Sequence, residues 1–164
     1  MSAVRKSGDS SLKIKLNAQE ATLLRQVVDE ITQVIAGEEA TPVHERLFPD
    51  AFEDPEETKK YNTMVRDELK AHKLSALNSM RETLGEAGRV NATLSTSESH
   101  LWLTALTDIR LAIGVRLDVS EEDMGREPDP ADPDGLALVV LHWLGWLQET
   151  MVENLDPFSE RTDS

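Results

Sequence analysis

The chain has 164 residues, 39% of them hydrophobic and 29% charged, which fits one folded domain whose core needs no disulfide or metal to hold it. Its 31 acidic residues against 17 lysines and arginines give a formal net charge of −14, a field that repels phosphate backbones and argues against direct nucleic-acid binding. No cysteine occurs, which excludes disulfides, thiolate nucleophiles, cysteine-ligated zinc and thiol switching within these residues, and no stretch approaches the roughly 20 apolar residues of a bilayer span.

The expected organisation is a disordered stretch over 1–10, one helical domain over 11–155 and a disordered tail over 156–164, because both ends are small, polar and without periodicity. Leu12, Ile14 and Leu16 alternate with lysines as a short strand that stops at Asn17. Asn17 and Glu20 have capping-box spacing, and the stripe Leu24, Val27, Val28, Ile31, Val34 and Ile35 then marks a first helix that Gly37 ends. A second helix starts at Asp54-Pro55, with Glu56 and Glu57 at the positive end of its dipole. Tyr61, Val65, Leu69, Ala76 and Met80 carry its stripe to Leu84, before Gly85 and Gly88. Val90, Ala92 and Leu94 predict a second strand, and Ser95 with Glu98 caps a third helix lined by Leu101, Ala105, Ile109, Ala112 and Ile113. After an acidic loop interrupted by prolines, Asp132 caps a fourth helix. Its main stripe is Leu136, Val140, Leu144, Leu147 and Met151, and Val139, Trp143 and Trp146 widen the apolar arc so that much of the circumference is expected to be buried. The fold class is therefore mainly α, four helices with a small two-stranded β ribbon.

An offset of seventy-eight residues carries Leu16 onto Leu94, Asn17 onto Ser95, Glu20 onto Glu98, Ile31 onto Ile109 and Asp54-Pro55 onto Asp132-Pro133. Two readings stay open. The halves 12–84 and 90–155 are strand-helix-helix repeats about a pseudo-twofold axis, their two strands pairing across it, or two segments share the small menu of caps and stripes.

No catalytic constellation emerges. The Glu-x-x-His spacing of di-iron bundles does not occur, the run around Asp132 and Asp134 fails the EF-hand template at Pro130 and Leu141, and neither a nucleophile elbow nor a glycine-rich phosphate loop is present. No cofactor or metal is expected, and the chain reads as no enzyme. Glu68 and His72, four apart on the second helix, are either metal ligands or a hydrogen-bonded pair at the core's edge. Arg116 projects toward the third helix's apolar stripe, where burial demands a carboxylate such as Glu68. Trp146 stands to one side of the fourth helix's stripe, where it fills a neighbouring groove or anchors a partner. The lysines and arginines at 5, 6, 13, 15, 59, 60, 70 and 73 read as solvated faces.

Three segments, Leu106-Thr107-Asp108-Ile109-Arg110-Leu111, Trp143-Leu144 with Leu147-Gln148-Glu149, and Leu47-Phe48-Pro49-Asp50-Ala51-Phe52, together resemble an actinobacterial family catalogued as domain of unknown function two thousand and seventeen. The resemblance covers Leu12 to Leu155, with Thr107 where the family has asparagine. It implies a small cytoplasmic protein, commonly encoded beside the substrate adaptor of the Clp protease and in one lineage described as an oxidative-stress transcription regulator. That role leans on cysteines, which this chain lacks.

The expected function is a non-enzymatic regulatory or adaptor-like module that binds another protein through Trp146, Trp143 and the acidic residues Glu121, Glu122, Asp123 and Asp129. The Clp system and the transcription machinery are the candidate partners, and homodimerisation through the second or fourth helix is compatible with their apolar width. The alternatives are a transcription regulator working through polymerase or sigma-factor contacts and a metal-dependent hydrolase built on Glu68 and His72.

Overall fold

A computed structural model describes residues 3–7, 11–37, 47, 57–117 and 133–155. The elements, in chain order, are β1 (Ala3–Ser7), β2 (Ser11–Leu16), α1 (Ala18–Ala36), α2 (Glu57–Leu84), β3 (Val90–Leu94), α3 (Thr96–Leu117) and α4 (Pro133–Leu155). The chain is mainly α, as its periodicities predict.

The ribbon has three strands instead of the two expected. They form an antiparallel sheet in the order β1-β2-β3, and β1 lies within the stretch read as disordered. The sequence hides this strand because Ala3 to Ser7 contains one strong β former, Val4, among small and charged residues. Its order comes from pairing with β2, from Ala3 opposite Lys15 to Ser7 opposite Ser11, and from packing against α4.

Period-two alternation turns Leu12, Ile14 and Leu16 inward together with Val90 and Leu94 of β3, and all five are buried. Helices supply the other wall of this core. Ala21, Leu24, Val28, Ile31 and Ile35 come from α1, Ala76, Leu77, Met80 and Leu84 from α2, and Trp102, Ala105, Leu106, Ile109 and Ala112 from α3. Leu144, Leu147 and Met151 of α4 close it.

Both expected capping boxes form. The Glu20 N–H donates to Asn17 Oδ1 at 2.8 Å while the Asn17 N–H donates to Glu20 Oε1 at 2.9 Å. Ser95 and Glu98 repeat the exchange at 3.1 and 3.0 Å. Each box satisfies two amide groups that the first helical turn leaves without carbonyls.

The C-terminus of α2 is closed by a residue from a different helix. Arg25 of α1 is buried, and its Nη2 donates to the carbonyls of Leu84 at 2.6 Å and Gly88 at 2.8 Å, while Nε donates to that of Gly85 at 3.0 Å. Gly85 and Gly88 adopt φ of 69° and 80°, a region costly to residues with a Cβ, and this turns the carbonyls toward one guanidinium. A cation at a helix C-terminus also complements the negative end of its dipole.

Candidate functional site

The motif segment 106–111 in α3 works in three directions at once. Leu106 and Ile109 enter the core. Asp108, 2% exposed, accepts a hydrogen bond from Lys73 Nζ of α2 at 2.6 Å, a charge pair that ties α2 to α3. Thr107 and Arg110 turn the other way, toward α4.

There they meet the second motif segment. Arg110 Nη1 donates to Gln148 Oε1 at 2.8 Å, and Gln148 Nε2 donates to Thr107 Oγ1 at 2.6 Å, so one amide bridges two residues on successive turns of α3. The approach depends on Gly145. A Cβ there would lie 3.2 Å from Arg110 Nη2, so the missing side chain makes room for the guanidinium against α4.

Along this seam runs an open groove of about 640 Å³, bordered by Arg110, His142, Trp146, Gln148, Glu149 and Val152, with Leu141 and Gly145 also contributing. Its electrostatics are unusual for so acidic a chain. Among the described residues the Arg110 guanidinium has a neutral amide as its acceptor and no carboxylate within ion-pair distance, although Glu149 borders the same groove. Arg110 Nε and His142 Nε2 are buried without hydrogen-bond partners. Beside them Trp146 and Val152 are 44% and 51% exposed, and Val139 stands exposed at the other end of the same helix face. The arrangement offers an apolar anchor next to a cation without a carboxylate partner among the described residues. It contains no nucleophile and base pair that would carry out bond chemistry.

Sequence-predicted residues distribute unevenly about this groove. Trp146 lies on it and is solvent-facing: α4 is buried or half-buried around most of its circumference, as expected, and Val139, Trp146, Glu149, Val152 and Glu153 mark the one side it leaves open. Trp143 is half-buried and packs against the core. Glu68 and His72 are not part of a polar core. Both side chains are exposed, because the buried face of α2 follows Ala76, Leu77, Met80 and Leu84 and turns that pair outward. Among the described residues no group of three metal-ligating side chains converges. Glu121, Glu122, Asp123 and Asp129, and the side chain of Arg116, lie outside the described residues. Arg110, Thr107, Gln148 and Gly145 were missed as a site. Thr107, Arg110 and Gln148 stand in the sequence only as letters of the motif segments, and Gly145 not even so, since the contact between them joins helices nearly forty residues apart.

The family model described as "Domain of unknown function (DUF2017)" matches residues 1–155. The chain belongs to this family. It is also 28% identical over 156 residues to a Mycobacterium leprae protein named "Putative oxidative stress regulator AosR", an alignment covering 84% of this chain and 70% of that protein. No solved structure matches. Two of the three segments in which the sequence resembles this family meet at Arg110 and Gln148, in the seam between α3 and α4. None of the described helices of this family member is long and apolar enough to cross a membrane.

Proposed function

We propose that this chain is a non-enzymatic regulatory module that works by binding another protein through the outer face of α4. The observation that supports this reading is the pairing of an exposed tryptophan with a half-buried arginine that, among the described residues, no carboxylate neutralises, side by side on one groove. Tryptophan and arginine are the residue types most enriched where a few contacts dominate protein binding. A regulatory role fits the name of the mycobacterial relative. With no cysteine among these residues, a thiol switch within them is excluded.

Affinity capture from a native lysate with the tagged chain, repeated over a series of salt concentrations, tests the reading. A specific partner is expected, in the Clp system or the transcription machinery of the cytoplasm. Recovery of none at any ionic strength counts against it.

A second reading, regulation of transcription through polymerase or a sigma factor, is favoured by the relative's name together with the net charge of −14, which opposes direct DNA contact. Gel shifts with and without polymerase separate it from an adaptor role, since only the regulator supershifts promoter DNA when polymerase is present.

A further inference from the structure

The sheet has a second surface, away from the helices, whose charge opposes that of the whole molecule. Register places Arg5 of β1 directly opposite Lys13 of β2, Ala3 opposite Lys15, Thr93 of β3 opposite Lys13 and Asn91 opposite Lys15. These residues share one side because Leu12, Ile14 and Leu16, between them in β2, face the core. Arg5, Lys15, Asn91 and Thr93 are exposed and Lys13 is half-buried. Among the described residues none of the three cations has an ion-pair partner, in a chain with 31 acidic residues.

This is a costly way to build a solvated face. Like charges directly opposite on neighbouring strands are destabilising. Lysines do protect edge strands against unwanted pairing, but Lys13 and Lys15 sit in the central strand, where no edge needs protecting. We propose that this face binds an extended acidic polypeptide segment of a partner, with carboxylates at alternate positions. Lys13 and Lys15 are two residues apart on one strand, so their Cα atoms are about 7 Å apart, the spacing of same-side carboxylates in another extended chain. Arg5 takes a third carboxylate or grips one of the two from across the ladder. A nucleic acid fits less well, since the face has no aromatic side chain on which bases stack. The surface is separate from the groove on α4, and the inference stands independently of the proposed function.

Fluorescence anisotropy with a labelled peptide of about ten alternating glutamates and threonines, an extended probe by its β propensity, tests it. The same peptide with glutamine for glutamate and a single-stranded oligodeoxynucleotide serve as competing probes. The glutamate peptide is expected to bind at low ionic strength and to weaken as salt rises, and the double variant Lys13→Gln, Lys15→Gln to bind it about tenfold more weakly. Arg5→Glu is the second variant. It converts a like-charge pair with Lys13 into an attractive one, so it is expected to melt no lower than the parent while losing peptide affinity. Equal binding of the glutamine peptide, tighter binding of the oligonucleotide, no binding of the glutamate peptide, or salt-sensitive self-association of the chain in place of peptide binding would each overturn the assignment.

Discussion

Ile14 and Ala92 face each other across the antiparallel pair β2 and β3, and they are separated by the same seventy-eight residues that carry the Asn17 capping box onto the Ser95 box. The register is therefore centred on two positions related by that offset: Leu12 opposes Leu94 and Leu16 opposes Val90. Each strand runs straight into a capped helix, so the two boxes do the same work at the two ends of one ladder.

Interchangeable caps are expected, because both boxes make the same reciprocal pair of hydrogen bonds. Asn17→Ser and Ser95→Asn are each expected to change unfolding free energy by less than about 0.5 kcal/mol, whereas alanine at either position costs about 1 kcal/mol. Urea denaturation of the four variants checks this. A large penalty for either exchange would mean that the two caps have different surroundings.

The Lys73 and Asp108 pair makes a sharper demand. Lys73→Met leaves a carboxylate that is almost wholly buried with no cation, and Asp108 Oδ2 already lacks a partner. A loss of about 3 kcal/mol is expected, and adding Asp108→Leu should recover most of it, because removing both charges also removes the desolvation cost. Chemical denaturation of the single and double variants reads the difference.

Gly145→Ala separates stability from the geometry of the groove. Alanine favours the helix by about 1 kcal/mol over glycine, and its Cβ would press on the end of the flexible Arg110 side chain, which can swing away. The melting temperature should hold or rise while the Arg110 to Gln148 hydrogen bond is lost. Side-chain NMR of the Arg110 Nη–H and the Gln148 amide group detects that loss.

The sequence revealed those parts of the fold that depend on local pattern. Both capping boxes, the starts of α1 and α3, the end of α2 at Gly85 and the two strands Ser11–Leu16 and Val90–Leu94 follow from spacing and glycine placement alone. What it concealed depends on partners distant along the chain. β1 has little propensity of its own and exists as the third strand of a ladder. Arg25 has no signature in the sequence because its acceptors are backbone carbonyls near Leu84, which no side-chain pattern encodes. Glu68 and His72 were misplaced by one step around α2, since a helix rich in charge gives two nearly equal choices of inner face. For the groove, Trp146 was singled out and Arg110 was not, because an arginine declares its role only when the residue it meets is known.

The central claim, that the outer face of α4 is where a protein partner docks, is tested most directly by hydrogen exchange on the chain alone and in complex with whatever partner affinity capture supplies. Slowed exchange over residues 139–152, absent in the Trp146→Ala variant despite an unchanged melting temperature, is the predicted result. Slowed exchange confined to other elements, with α4 exchanging as it does in the free chain, would contradict it.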